Sequence, residues 1–126
     1  MRTLALLVVA SAAALPTVAT AQHMNAEAFY KRAMALKKKG PLALMSKDLR
    51  PVVEEAKAAG EKARAIRLAT EAKGKQGRYC PPPGSKRIGN HEFLDGMTSL
   101  GAERAKIDMT EAMTRLLIRK HPCKKG

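Results

Sequence analysis

The chain carries two cysteines, and both lie beside prolines. Cys80 stands in the stretch GRYCPPPGS directly before three prolines, and Cys123 follows Pro122 in RKHPCKKG near the C-terminus. Prolines donate no backbone hydrogen bond and favour extended backbone, so they would hold Cys80 in place for pairing. A Cys80–Cys123 disulfide would join residues 43 positions apart, and chain entropy for such a loop corresponds to a stabilisation of about 4 kcal/mol.

Metal ligation and thiol catalysis are the alternative roles for these cysteines. The chain has no C-x-x-C pair, and His121 adds one further ligand type beside Cys123 without forming a cluster. The other histidines, His23 and His91, are far apart in the sequence, and Cys-Pro-Pro-Pro differs from the C-x-x-C-H signature of covalent haem. We therefore predict a disulfide, with no metal and no cofactor.

Catalytic side chains are equally sparse. Glu92 and Asp95 stand three residues apart on a predicted helix. Glycosidases use a pair of carboxyl groups, but two acids without further partner residues are more often solvated surface. No serine lies in a Gly-flanked nucleophile elbow. The sequence thus predicts a protein that is not an enzyme.

The first 21 residues resemble a cleavable signal peptide. Arg2 gives a positive start, an apolar run follows, and Ala19 and Ala21 have the small-residue spacing that a signal peptidase accepts. The alternative is a membrane anchor, but the apolar stretch is shorter than the roughly 20 residues that span a bilayer. We expect cleavage after Ala21 and export to the periplasm, an oxidising compartment in which two cysteines can pair.

The chain is strongly basic. It has 24 Lys and Arg against 11 Asp and Glu, a formal net charge of +13, and loss of Arg2 with the signal peptide lowers that value by one. Such a charge favours anionic partners: lipopolysaccharide phosphates, acidic glycans or an acidic protein face. Nucleic acid fits the charge too, but export and the scarcity of aromatic residues for base stacking argue against it. A homodimer stays open.

The first half of the exported domain, residues 22–76, is predicted to be a basic pair of helices. The first covers residues 25–40, where Asn25 can cap the start and Gly40 ends the helix. Its apolar stripe consists of Phe29, Ala33 and Leu36. A short link with one apolar turn, residues 42–45, follows.

The second helix of this pair is predicted over residues 51–73. Asp48 stands in position to cap it, and its acids, Glu55 among them, are expected on the solvent faces. The apolar stripe of this helix is mostly alanine and consists of Val52, Ala56, Ala59, Ala63, Ile66 and Ala69 or Thr70. Because alanines bury little surface, the helix needs a partner. We expect it to fold back on the first helix as a hairpin and to lie across the second half of the domain.

The second half, residues 77–126, is predicted to be a helix pair closed by the disulfide. A Gly- and Pro-rich break over residues 73–90 lies against the helices or, alternatively, is a flexible linker. Asn90 is expected to cap a short third helix, and Asp108-x-x-Glu111 resembles a capping box that opens the fourth. The methionines of MTEAM either fill the core or form an adaptable binding groove. The fold class is all-α, with four to five helices in one domain over residues 22–126.

The pattern YCPPPGS … EFLDGM … MTEAMTRLLIRKHPC, over residues 79–123, resembles the Rap/Tai family of periplasmic immunity proteins of type VI secretion systems. Tyr79-Cys80-Pro81 matches the family's opening, and Ala112 to Leu117 with Pro122-Cys123 matches its ending. The resemblance implies a signal peptide, a compact all-helical domain and Cys80–Cys123 as the family's disulfide.

That resemblance also implies a function. Family members inhibit peptidoglycan amidases by inserting a surface segment into the enzyme's cleft, so the expected role is a non-catalytic exported protein that binds a cell-wall amidase toxin. The alternative is a basic envelope or stress protein that binds anionic lipopolysaccharide or glycan. The binding residues are not assigned by the sequence.

Overall fold

The structure is a computed structural model that describes residues 24–125, so the predicted signal peptide and His23 lie outside the described residues. Within residues 24–125 the fold is all-α, as predicted. The elements are α1 (Ala26–Lys39), a first 3₁₀ helix (Gly40–Met45), α2 (Leu49–Ala72), α3 (Asn90–Ser99), a second 3₁₀ helix (Gly101–Lys106) and α4 (Met109–Lys120).

Two of the predicted helix caps are confirmed. The Asn25 side chain accepts hydrogen bonds from the backbone N–H groups of Glu27 (2.9 Å) and Ala28 (3.3 Å) at the start of α1. The Asp108 side chain accepts from the Glu111 N–H (2.8 Å) at the start of α4. Each bond satisfies a donor that the first turn of a helix leaves unpaired.

The starts of α1 and α4 lie side by side. The Ala26 N–H donates to the Ile107 carbonyl (2.9 Å), and the Met109 N–H donates to the Met24 carbonyl (2.9 Å). These two backbone bonds join the N-terminal half of the domain to the C-terminal half, far apart in sequence. They are part of one isolated β-bridge, and no strand occurs in the described residues.

Of the two other predicted caps, Asp48 has the right position without a capping bond, and Asn90 is wrong. Asp48 stands at the N-cap position of α2, but its backbone is helical and its side chain makes no capping bond. The Ser46 hydroxyl instead accepts from the Asp48 N–H (3.3 Å). In α3 the N-cap is Gly89 and Asn90 is already helical, because the Phe93 N–H bonds the Gly89 carbonyl (2.8 Å) and starts the helix one residue earlier.

The long helix α2 packs on two neighbours. It lies across α4, as predicted, and this is the most extensive contact between elements, while α1, the expected hairpin partner, supplies a smaller share. Ala59 and Ala63 are buried and let α4 approach closely, whereas Ile66 and Ala69, predicted on the same stripe, are exposed. The buried stripe therefore ends near the middle of α2.

Residues from all four α-helices form one core. The rings of Phe29 and Phe93 meet edge to face with centroids 5.8 Å apart, an arrangement that aromatic pairs favour. The core residues are Ala26, Phe29, Ala33, Leu36, Val52, Ala59, Ala63, Phe93, Met97, Met109, Ala112, Met113 and Leu116. Met109 and Met113 thus fill the core, as one of the two predicted roles requires, and do not line an open groove.

A glycine sets the distance between α3 and α4. A Cβ atom added to Gly96 would lie 2.7 Å from Leu116 Cγ and 3.0 Å from Leu116 Cδ2, closer than packed carbon atoms allow. Gly96 is therefore the residue that lets α3 approach α4 closely. The close packing of α3 on α4 at Gly96 and Leu116 therefore helps to hold the C-terminal half together.

Candidate functional site

Cys80 and Cys123 form a disulfide, with their Cα atoms 4.9 Å apart. The Cys80 N–H also donates to the His121 carbonyl (2.8 Å), directly after the end of α4. The predicted pairing is therefore present, and the covalent bond ties the stretch before α3 to the end of the last helix.

The segment after Cys80 forms an exposed loop, residues 81–87, which we call the anchored loop. The Ser85 N–H donates to the Pro82 carbonyl (3.1 Å), with Pro83 and Gly84 between them. Gly84 has a φ of +73°, the left-handed conformation that a type II turn requires at its third residue, and proline suits the second. We expected a stiff extended segment and found a turn. The Pro-Gly dipeptide was the sequence signal for it.

The loop is basic at its exposed end. Ser85, Lys86 and Arg87 are solvent-exposed, and the chain returns to the core at Ile88, which packs against it. The flexible-linker alternative does not fit this arrangement, because both ends of the loop are held. The loop thus presents two cations, Lys86 and Arg87, directly after a turn stiffened by prolines.

An ion pair fixes the chain just before the disulfide. The Arg78 guanidinium donates two hydrogen bonds to the Glu111 carboxylate, at 2.6 and 3.0 Å. Hydrogen bonds from Arg78, and next from Arg115, lower the pKa of Glu111 from its ordinary value of 4.5 to about 2. The capping-box prediction is therefore half right: Asp108 caps α4, but the Glu111 carboxylate binds arginines.

Tyr79 is buried between these two anchors. The Arg67 guanidinium lies over its ring, 5.3 Å from the centroid, close enough for a cation–π contact. Arg67 also pairs with Glu71, with Nη1 2.9 and 3.0 Å from the two carboxylate oxygens. The segment 77–80 is thus fixed to both α2 and α4, and these contacts set the direction in which the anchored loop leaves the domain.

A small cleft lies beside Tyr79. Its volume is about 100 Å³, and Arg67 and Thr110 are among its lining residues. Arg67 Nε and Thr110 Oγ1 are buried there, with no hydrogen-bond partner among the described residues. The cleft has room for ordered water, which would satisfy both atoms.

The remaining candidate residues do not come together. Lys120 donates to Glu92 (2.6 Å) and lowers the pKa of that carboxyl group, and Asp95 is exposed. His91 is the second residue of α3, and His121 follows α4. Across residues 24–125, no group of three or more His, Cys, Asp or Glu side chains is placed to hold a metal ion.

One buried acid was missed. Glu55 is fully buried, and its Oε1 accepts from the Met24 N–H (3.1 Å), while Oε2 has no partner among the described residues. It was expected on a solvent face. The sequence did contain a signal for its burial, because residue 55 follows Val52 by three positions and precedes Ala59 by four, which is the spacing of the buried stripe.

A second exposed surface lies on the first 3₁₀ helix. Leu42, Leu44 and Met45 are 68, 80 and 86% exposed, and we call them the apolar tip. The sequence predicted an apolar turn here, but its exposure depends on tertiary packing and could not be predicted from the residues alone.

The fold defines a class: residues 24–125 form a small all-α domain with one disulfide. No family model, no curated protein and no solved structure matches this chain. Along residues 24–125, none of the helices combines the length and apolar character needed to cross a bilayer.

Proposed function

We propose that the chain is an exported, non-catalytic binding protein of the immunity type, which inhibits a cell-wall amidase by docking the anchored loop on the enzyme. The observation that carries the proposal is that the loop is exposed and basic while its base is fixed. Its exposed end bears Lys86 and Arg87, and its base is held by the disulfide.

Rigid presentation favours inhibition. A loop that is already ordered loses little conformational freedom when it binds, so more of its contact energy appears as affinity. The Pro82–Ser85 turn, the Arg78–Glu111 pair and buried Tyr79 all restrict the loop before a partner arrives. Its two cations suit an acidic rim around an enzyme cleft, where complementary charge speeds association and excludes wrong partners.

The amidase as partner comes from the resemblance of residues 79–123 to the Rap/Tai immunity proteins. Two features that the resemblance implies, the Cys80–Cys123 bond and the all-helical domain, are present. They support the proposal because the inhibitor must keep its shape outside the cytoplasm, where a disulfide is stable.

The test is inhibition of purified peptidoglycan amidase toxins from the same genome by residues 22–126, with and without the double substitution Lys86→Glu and Arg87→Glu. We expect the parent chain to inhibit one such enzyme and the double variant to bind about tenfold more weakly or worse, because like charges would face each other. A matched control, Lys57→Glu with Arg64→Glu, changes the charge equally at exposed positions of α2 and should inhibit like the parent.

Two results would contradict the proposal. One is a complete lack of inhibition across the amidases tested, and the other is equal inhibition by the loop variant and the parent. Export has its own test: N-terminal sequencing of the protein from a periplasmic fraction should find Gln22 first, and recovery of a chain that still begins with Met1 would contradict it.

A further inference from the structure

The apolar tip is a convex group of unpaired hydrophobic side chains. None of the six residues of the first 3₁₀ helix is buried, and Leu42, Leu44 and Met45 are all more than two-thirds exposed. With three residues per turn, positions 42 and 45 share a side and position 44 projects from another. The tip is therefore a knob that points several ways, and not a flat stripe of the kind that packs on another helix.

Basic residues flank this knob along the chain, and we call Lys37, Lys38, Lys39 and Lys47 the basic ring. The first three form the last turn of α1 and the fourth follows the tip by two positions, and all four are exposed. Lys39 Nζ donates to Ser46 Oγ (3.2 Å), which holds one ammonium group at the base of the tip. The ring thus places positive charge within a few residues of the tip on both sides along the chain.

A cleft next to the ring has mixed lining. It has a volume of about 320 Å³ and is lined by Arg32, Ala35, Leu36, Lys39 and Asp48. Two cations and one carboxylate give it a net positive lining, and one of the cations, Lys39, belongs to the basic ring. Such a cleft suits a phosphate group better than a cation.

We propose that the apolar tip inserts into an anionic lipid surface, with the basic ring on the lipid phosphates and the three apolar side chains among the upper acyl carbons. Lipid tails accommodate a convex knob without a matching shape, whereas a protein would need a pocket with walls on several sides. Apolar side chains in front and lysines behind match the order of layers in a leaflet, where acyl chains lie beneath a phosphate layer.

The first test is sedimentation of the oxidised chain, residues 22–126, with vesicles of phosphatidylglycerol and phosphatidylcholine. We expect binding to the mixed vesicles that weakens as salt rises, because screening reduces the contact between lysines and phosphates. Vesicles of phosphatidylcholine alone should bind about tenfold less. Inorganic phosphate at millimolar concentration should not displace the chain, since it offers no acyl region to the tip.

Substitutions separate the tip from general hydrophobicity. The triple variant Leu42→Ser, Leu44→Ser and Met45→Ser should lower vesicle affinity by about tenfold or more, because three apolar side chains no longer leave water. The matched control is Ile66→Ser with Leu68→Ser, since these side chains are also exposed but lie in the C-terminal half of α2. The control should bind vesicles like the parent.

A fluorescent probe reports insertion directly. The chain contains no tryptophan, so Leu44→Trp introduces a single indole whose emission shifts to shorter wavelength when it enters the acyl region. The Leu68→Trp variant should show no such shift on the same vesicles.

The proposal is overturned if the parent fails to bind the mixed vesicles, if the triple variant binds them as tightly as the parent, or if Leu44→Trp shows no shift. Loss of amidase inhibition in the tip variant together with unchanged vesicle binding would identify the tip as a protein-docking surface instead. The two proposals fail separately, because the loop substitutions Lys86→Glu and Arg87→Glu leave the tip intact.

Discussion

The anchored loop and the apolar tip are both short exposed segments beside lysines, but the molecule holds them in opposite ways. The loop is fixed by a disulfide, by the bidentate Arg78–Glu111 pair and by buried Tyr79. The bonds described at the tip are local, because the Ser46 N–H donates to the Ala43 carbonyl (3.0 Å) and Lys39 donates to Ser46, and Ala43 packs against the core.

Their exposed side chains differ as well. The loop presents Lys86 and Arg87, which water solvates at no cost, whereas the tip presents three large apolar side chains that water does not solvate well. A fixed polar loop suits a partner with a defined surface. An exposed apolar knob suits a partner that adapts to it, and this contrast separates the two proposals physically.

The largest effect should come from breaking the covalent anchor. Replacing both cysteines by serine, or reducing the bond, should lower the free energy of unfolding by about 4 kcal/mol, equivalent to a fall in Tm of ~15 °C or more for a domain of this size. Denaturation of the oxidised and reduced chain measures the difference. Trypsin should also cut faster after Lys86 once the bond is gone, while cleavage after Lys47, beside the tip, should change less. Equal Tm values for the oxidised and reduced chains would show that the disulfide does not stabilise the folded domain.

The next largest effect should come from the packing of α3 on α4. Gly96→Ala should destabilise by about 1–3 kcal/mol, since the new methyl group would meet Leu116 and force the two helices apart. The control is Gly60→Ala in α2, where the nearest atom, Met113 Cε, lies 4.0 Å from the added Cβ. Without a clash, alanine should gain about 0.5–1 kcal/mol through helix propensity. Urea unfolding separates these signs, and a stabilising Gly96→Ala would contradict the close approach.

The elements of the fold were predictable where a local interaction decides the structure. Asn25 and Asp108 cap helices through bonds to residues two or three positions away, so the sequence alone predicts them. The all-α class and the Cys80–Cys123 pairing were predictable for a similar reason, because the helical spacing of apolar residues is local and the chain has only two cysteines.

Features that depend on which elements meet were not predictable. An alanine stripe shows that α2 needs a partner, but not that α4 contributes more of the contact than α1. Ile66 lies on the stripe yet is exposed, and Leu44 is apolar yet faces water, because no element within residues 24–125 covers either residue. The burial of Glu55 was open to prediction by spacing, but its charge argued for solvent. The site itself required the structure, since the loop and the tip are defined by exposure.

A smaller effect is expected from the ion pair at the base of the loop. The pKa of Glu111 is lowered in the folded chain, to about 2. A lowered pKa means that the pair stabilises the fold fully above the ordinary pKa near 4.5, and that this stability is lost as the pH falls from there towards 2. Because Arg78 is half exposed, solvent screening limits the contribution to about 1 kcal/mol. Glu111→Gln should therefore remove a share of the pH dependence between pH 4.5 and 2 in unfolding experiments.

The exposed pair Arg50–Glu54 on α2 supplies the control for that experiment. Glu54→Gln removes a carboxylate of the same charge at a site where both side chains are largely in water, so its stability profile over the same pH range should stay close to that of the parent. If Glu54→Gln and Glu111→Gln altered the profile equally, the loop base would be no more firmly held than an ordinary surface pair.

The smallest effect should come from the tip. The triple variant Leu42→Ser, Leu44→Ser and Met45→Ser should leave the free energy of unfolding within about 0.5 kcal/mol of the parent value, because its side chains already face water in the folded chain. Equilibrium denaturation without lipid measures this, and a loss of several kcal/mol would mean that the tip supports the core. A near-zero change, together with the expected loss of vesicle binding, would show that the apolar surface is retained for a partner and not for the stability of the fold, which is the reverse of what the disulfide variant should show for the loop.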